Sequence, residues 1–96
     1  MKRDSLYSDE HAELVILLRD LRLEAGLSQA QVAEVLGRPQ TYLSAVEIGD
    51  RGIDLIQVRE LCRIYAVPFM EFACRFEERL KQQEAKRRPP RRPRAR

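Results

Sequence analysis

The sequence predicts an all-α protein. Apolar residues recur at helical spacing along most of the chain, and no segment alternates apolar and polar residues as a half-buried strand does. Ser, Asp, Gly and Pro residues also stand at the places where helices commonly begin and end. With 96 residues, 44% of them hydrophobic, the chain is long enough to bury one modest core. We therefore expect one five-helix domain over residues 1–85.

The first helix is predicted to follow Ser8. Ser is a favoured N-cap residue, and Asp9 and Glu10 would lie in the first turn, where the helix dipole favours negative charge. Leucines at positions 14, 17, 18 and 21 mark one apolar face. Gly26 should end this helix, because glycine readily adopts the left-handed conformation found just after a helix.

Two short helices are predicted next. Ser28 and Gln31 have the spacing of a capping box, which predicts the start of the second helix, and Gly37 should end it. Pro39 favours the start of a third helix, where its missing N–H has no partner to lose, and this helix should run to about Ile48. The residues of the second helix expected to face inward are Val32, Ala33, Val35 and Leu36.

Residues 29–48 carry the spacing of a helix-turn-helix motif. Two short helices that cross steeply need a small residue at their contact, which Ala33 supplies, and a glycine at the turn, which Gly37 supplies. Leu43 and Val46 place an apolar face under the second helix of the motif. This combination indicates DNA binding. Between Gly37 and Val46, Arg38 is the only charged residue, so this stretch can approach phosphates without repulsion.

The last two helices are predicted from a second capping box and a proline. Asp54 and Gln57 should begin the fourth helix, and Pro68 should open a fifth, over about 68–84, with Arg79 among its outer charged residues. The apolar residues of the fourth are Leu55, Val58, Leu61, Cys62 and Tyr65. The stripe on the fifth, which either belongs to the core or forms a homodimer contact, is Phe69, Phe72, Phe76 and Leu80.

The composition gives no indication of an enzyme, a cofactor or a metal. Cys62 and Cys74 lie twelve residues apart with no second Cys or His beside either, so both are expected to be small core residues. The sequence contains no catalytic constellation, no Gly-rich phosphate loop and no cluster of metal-ligating residues. No leader or membrane-spanning run is apparent, and we expect a cytoplasmic protein that joins the nucleoid when it binds DNA.

Charge is distributed unevenly along the chain. Residues 86–96 hold seven basic side chains and no acid, together with three prolines, which predicts a disordered basic tail. Residues 1–85 hold 11 basic and 15 acidic side chains, a net charge of −4, so the overall +3 comes from the tail. The tail is either a nonspecific phosphate clamp or a solubilising extension.

Residues 18–68 resemble the phage-repressor and Cro-like (Xre-type) helix-turn-helix family. The resemblance rests on Ala25-Gly26-Leu27-Ser28-Gln29 entering the motif, Leu36-Gly37 at the turn, Glu47-Ile48-Gly49 closing the third helix, and Leu61-Cys62 in the fourth. It implies a five-helix domain of the lambda-repressor type whose third helix enters the major groove of double-stranded DNA, usually as a dimer on a near-palindromic operator.

The resemblance also implies roles for individual residues. The positions that match base-facing residues of the third helix are Gln40, Thr41, Ser44 and Ala45. Gln40 is the strongest base-reading prediction, because a glutamine amide donates to and accepts from adenine in the major groove. Ala45 is short and offers at most a contact with a thymine methyl. The predicted phosphate contacts are Gln29, Arg38, Tyr42 and Arg51. Glu47 is expected to hold neighbouring protein groups rather than DNA.

Two classes of function fit the sequence. The favoured one is a sequence-specific transcriptional regulator, in particular a repressor that occludes a promoter. The alternative is an antitoxin or adaptor whose main partner is another protein. The polar residues of the third helix, taken alone, also fit an ordinary solvated helix face, and only their place in the motif favours base reading.

Overall fold

The computed structural model describes residues 8–87, which form five helices and no strand. The helices are α1 (Asp9–Glu24), α2 (Gln29–Leu36), α3 (Gln40–Glu47), α4 (Leu55–Ile64) and α5 (Phe69–Arg87). The predicted all-α class is therefore confirmed. No helix in this part of the chain combines the length and apolar content needed to cross a membrane.

Side chains fix the starts of three helices as the sequence predicts. The Ser8 hydroxyl accepts a hydrogen bond from the His11 N–H at 3.0 Å, which caps α1. The capping boxes at the starts of α2 and α4 are both reciprocal, with the side chain and backbone of each pair bonded to one another, and consist of Ser28 with Gln31 and Asp54 with Gln57. Pro39 precedes α3 with extended backbone and makes no side-chain cap. Pro39 is therefore the N-cap residue of α3, and the first helical residue is Gln40.

The first four helices end in the same way. Each is followed by a residue with positive φ, and these are Gly26 (73°), Gly37 (71°), Gly49 (88°) and Ala66 (61°). The N–H of the next residue then donates to a carbonyl five residues earlier, as Arg38 does to Ala33 at 3.0 Å and Val67 does to Cys62 at 2.9 Å. The tight turns between helices follow from this motif. Ala66 is the one described non-glycine residue with positive φ.

The core lies where all five helices meet. It is built from buried residues of every helix: Leu17, Leu18, Leu21, Val32, Tyr42, Leu43, Val46, Val58, Leu61, Cys62, Tyr65 and Phe72. α3 packs against α1 and α2, and α5 packs against α1 and α4. The short helices α2 and α3 are therefore supported by the longer ones, since eight residues alone make a marginal helix.

Three predicted core residues are exposed instead. Val35 is 68% exposed because α2 buries the side bearing Val32 and Ala33, and Val35 lies beyond the edge of that side. Leu55 is 66% exposed at the first position of α4. Cys74 is also exposed, because it lies two residues from both Phe72 and Phe76 and so on the opposite side of α5. The expectation that both cysteines are core residues is wrong for Cys74.

The second half of α5 lies along α1. Arg79, predicted to be an outer residue, is half-buried and its guanidinium binds Glu13 at 3.3 Å and Asp20 at 2.5 Å. Arg75 binds Glu24 at 3.1 Å. These ion pairs hold α5 against α1. Of the predicted tail, Lys86 and residue 87 belong to α5, and residues 88–96 lie outside the described part of the chain.

Candidate nucleic-acid interface

α3 has one buried and one open side. Its buried side carries Tyr42, Leu43, Val46 and Glu47. On the other side Gln40 and Thr41 are exposed, and Ser44 and Ala45 are half-buried. Because positions three or four apart share a helix face, the four predicted base-contacting residues form one strip at the molecular surface. Ile48, at the end of the same strip, is 68% exposed.

A buried ion pair holds α3 to α1. The Arg22 guanidinium binds both carboxylate oxygens of Glu47, from Nε to Oε2 at 2.6 Å and from Nη2 to Oε1 at 3.0 Å. The remaining Nη1 donates to the Leu27 carbonyl at 2.9 Å, in the turn before α2. The hydrogen bonds that Arg22 donates to the Glu47 carboxylate raise the pKa of Arg22, so the guanidinium stays charged despite its burial. This one side chain therefore ties together α1, the turn and α3.

The ion pair also orients the two glutamines at the surface. Gln29 Nε2 donates to Glu47 Oε1 at 2.9 Å, which leaves the Gln29 carbonyl oxygen facing α3. That oxygen accepts a hydrogen bond from Gln40 Nε2 at 3.3 Å. The predicted phosphate-contacting Gln29 and the predicted base-contacting Gln40 thus lie side by side, at the starts of α2 and α3. The expected structural role of Glu47 is confirmed by these contacts.

The other three predicted phosphate contacts also lie together. The guanidinium carbon of Arg38 lies over the Tyr42 ring, 4.4 Å from its centroid, and that of Arg51 lies over the same ring at 4.9 Å. Arg38 stands just before α3 and Arg51 just after it, and both are exposed. Tyr42 is only 8% exposed, since its ring is covered by the core and by the two arginines.

Sequence reasoning missed the role of Arg22. The available signal was a charged residue directly beside Leu21 on the inward side of α1, matched by an acid, Glu47, beside Val46 on the inward side of α3. Opposite charges at two core-facing positions indicate a buried pair, but only the folded arrangement shows that the two positions face each other. Ile48 was likewise not predicted to lie on the open side.

The profile of the helix-turn-helix domain family matches residues 13–71, from the first turns of α1 to the start of α5. This match covers more than half of the chain, and the chain belongs to that helix-turn-helix domain family. The Xre-type resemblance seen in the sequence is consistent with this membership. Helix-turn-helix domains are DNA-binding domains typical of transcription regulators. No curated protein and no solved structure matches the chain significantly.

Proposed function

We propose that the protein binds double-stranded DNA sequence-specifically and represses transcription, with α3 as the recognition helix in the major groove. The observation that supports this most strongly is the open polar side of α3. Its leading residue Gln40 is held by Gln29, which is held in turn by the buried pair of Arg22 and Glu47. Supporting contacts of this kind hold a functional side chain in a defined orientation.

Base reading is assigned to the strip along α3. Gln40 presents an amide that matches the N6 and N7 groups of adenine, worth roughly 1–3 kcal/mol of discrimination against another base. Thr41 and Ser44 offer hydroxyls one helical turn apart, and Ala45 offers a methyl that fits a thymine. Of these four residues, Gln40 and Thr41 are exposed and Ser44 and Ala45 are half-buried, and none belongs to the buried side of α3.

Phosphate contacts are assigned to Gln29, Arg38, Tyr42 and Arg51, which surround that strip. Such contacts fix the orientation of a protein on the duplex and carry no sequence information themselves. Repression follows from occupancy, because a domain seated in the major groove of a promoter excludes other proteins from the same site. The site of action would be the nucleoid within the cytoplasm.

Selection of bound duplexes from a random pool tests this function. The proposal predicts enrichment of one sequence, with two half-sites about 10 base pairs apart if the protein binds as a dimer. Recovery of unselected sequences after repeated rounds, at a salt concentration where the protein still binds, would contradict sequence-specific recognition. Absence of binding to any duplex would contradict the function altogether.

We also infer a homodimer, formed through the surface between α5 and α4. Of the predicted contact residues, Phe72 is buried in the protomer's own core, whereas Phe69, Phe76 and Leu80 are half-buried. Phe69 and Phe76 line an open apolar groove of about 380 Å³. Its rim includes Leu55, which is 66% exposed. A second copy of the chain is the favoured occupant because two recognition helices are needed to read a palindromic operator.

The same apolar surface also favours the adaptor or antitoxin alternative. Ile56 and Met70, which are sequence neighbours of the groove-lining residues Leu55 and Phe69, are 73% and 80% exposed. Sedimentation at micromolar concentration, with and without the selected operator, separates the two. A dimer in either sample supports the homodimer. A monomer in both samples contradicts the homodimer.

A further inference from the structure

Tyr42 brings together two arginines from opposite ends of α3. Arg38 approaches its ring from the turn before the helix, and Arg51 approaches from the turn after it, with ring distances of 4.4 and 4.9 Å. Because both distances are measured to the same ring centroid, the two guanidinium carbons are at most 9.3 Å apart. A cation over an aromatic face is attracted by the electron density of the ring. Tyr42 thus attracts both arginines to one place.

These two charges lack the partners that other arginines of the protein have. Arg22, Arg75 and Arg79 each bind a carboxylate. Neither Arg38 nor Arg51 forms a salt bridge with any of residues 8–87, whereas the Tyr42 ring lies against both guanidinium groups. Both guanidinium groups are also exposed. A pair of exposed cations without acidic partners is suited to an anion with charges at similar spacing, such as the neighbouring phosphates of one DNA strand.

We propose that Arg38 and Arg51 act as one two-cation clamp on consecutive phosphates beside the recognition helix. Tyr42 is the positioning residue, and it holds both arginines through its aromatic ring rather than through its hydroxyl group. The proposal rests on the proposed DNA-binding function and revises the part of Tyr42 in it. The physical benefit is preorganisation. An arginine already held in place loses less side-chain freedom when it binds a phosphate than a freely moving one does.

Two substitutions at position 42 separate the ring from the hydroxyl. Tyr42→Phe keeps the aromatic ring and removes the hydroxyl group, whereas Tyr42→Leu keeps an apolar side chain and removes the ring. We expect Tyr42→Phe to bind a random-sequence duplex with an affinity within about twofold of the original, because cation–π attraction is retained. We expect Tyr42→Leu to bind about three- to tenfold more weakly, because both arginines are released.

The salt dependence of binding distinguishes positioning from charge. The slope of log K against log salt should be nearly the same in the Tyr42 variants, because both cations still reach phosphates. In Arg38→Ala/Arg51→Ala the slope should become shallower by nearly two, at about 0.9 per phosphate contact. In that background Tyr42→Leu should cause no further loss of affinity. The paired control is Arg59→Ala/Arg63→Ala on α4, which removes two exposed arginines distant in sequence from α3.

Nuclear magnetic resonance without DNA tests the clamp independently. The δ-methylene protons of Arg38 and Arg51 should be shifted upfield by the ring in the original protein and in Tyr42→Phe, and should not be shifted in Tyr42→Leu. Thermal unfolding verifies that each variant folds, and Tyr42→Met replaces the leucine variant if that one does not. Absence of upfield shifts in the original protein would overturn the proposal without any variant.

The binding results also have clear contrary outcomes. Equal losses in Tyr42→Phe and Tyr42→Leu would show that the phenol itself contacts DNA, and a folded Tyr42→Leu that binds as well as the original would show that the ring has no role. Either result overturns the clamp while DNA binding by the original protein stands. Failure of the original protein to bind any duplex would instead overturn the proposed function, and the clamp with it.

Discussion

The pair of Arg22 and Glu47 has two separable consequences, one for stability and one for recognition. Their side chains are 10% and 3% exposed, so each charge depends on the other for compensation. Removing one partner of such a pair lowers folding stability more than replacing both partners with apolar residues does, because the remaining charge is left buried and unpaired. The same carboxylate also holds Gln29, so the pair positions a residue of the proposed DNA-binding surface.

We predict that Arg22→Met lowers the free energy of unfolding by about 3–5 kcal/mol, measured by urea denaturation, because Glu47 becomes a buried unpaired charge. Arg59→Met, at an exposed position of α4, is the control and should change stability little. Arg22→Met/Glu47→Leu should recover most of the stability and still bind DNA with reduced sequence preference, since Gln29 has lost its partner. Wild-type stability in Arg22→Met would contradict the role of the pair.

Ala66 is a residue whose backbone conformation suits glycine better. Its φ of 61° is the left-handed conformation that the other helix ends give to Gly26, Gly37 and Gly49. We predict that Ala66→Gly raises the free energy of unfolding by about 0.5–1 kcal/mol, because relief of strain exceeds the added entropy of the unfolded chain. As a control, Ala12→Gly within α1 should lower it by about 1 kcal/mol. A loss of stability in Ala66→Gly would show that the strain is absent.

Tyr65 makes stability depend on alkaline pH. Burial raises the pKa of its phenol well above the ordinary value, and the nearby Glu47 carboxylate raises it further. The folded state therefore holds the phenol proton of Tyr65 more strongly than the unfolded state does. The contribution of Tyr65 to folding stability is complete below about pH 10, the pKa of the unfolded state, and is lost as the pH rises above that value. Burial also raises the pKa of the Cys62 thiol, so Cys62 likewise lowers folding stability as the pH rises.

We predict that Tyr65→Phe reduces this alkaline loss by up to about 1.4 kcal/mol per pH unit above pH 10, measured by urea denaturation from pH 7 to 11. At pH 7 the variant should be no less stable than the original, because the Tyr65 hydroxyl is buried without a hydrogen-bond partner among the described residues. Parallel pH profiles for the two proteins would contradict this account.

At the scale of the helices, ends are more predictable from sequence than faces. The caps at Ser8, Ser28 and Asp54 involve residues only three apart, so local chemistry determines them. The same holds for the turns at Gly26 and Gly37, which depend on one conformationally permissive residue each. These features are therefore correctly predicted without knowledge of the rest of the fold.

The faces depend on how helices pack, which local sequence does not determine. Val35 is an apolar residue on a helix of eight, and whether it is buried depends on how α2 is rotated against α3. Arg79 is drawn inward by two carboxylates of α1, far away in sequence. For the site, the motif predicted which residues lie near α3. It could not predict that the Tyr42 ring would be covered by Arg38 and Arg51, because that arrangement joins the two turns flanking the helix.

The rotation of α5 predicts different reactivity for the two cysteines. Cys74 is exposed and Cys62 is buried, with a raised pKa that disfavours the reactive thiolate. We predict that a maleimide labels one thiol rapidly in the native protein and the second only on unfolding, with mass spectrometry locating the first label at Cys74. Cys74→Ser should abolish the rapid phase and leave stability nearly unchanged. Rapid labelling of Cys62 would show that α4 and α5 pack differently.

At the scale of the whole molecule, function depends on a division between a rigid interior and an open face. α1, α4 and α5 bury the apolar residues that support the motif, and the ion pairs along α1 and α5 extend that support. α3 is thereby held with its buried side against the core and its polar strip outward. Because residues 1–85 carry a net negative charge, attraction to DNA has to come from local groups near α3 or from the basic residues 86–96, and not from the net charge of the domain.

The most direct test of this account compares Gln40→Ala and Arg38→Ala on the selected operator and on a scrambled duplex, by fluorescence anisotropy across a salt series. Gln40→Ala should lose about 1–3 kcal/mol of preference for the operator while binding the scrambled duplex unchanged. Arg38→Ala should weaken both complexes equally and reduce the salt slope by about one. Gln82→Ala, an exposed glutamine on α5, is the control and should match the original protein. Full operator preference in Gln40→Ala would contradict base reading by the open side of α3.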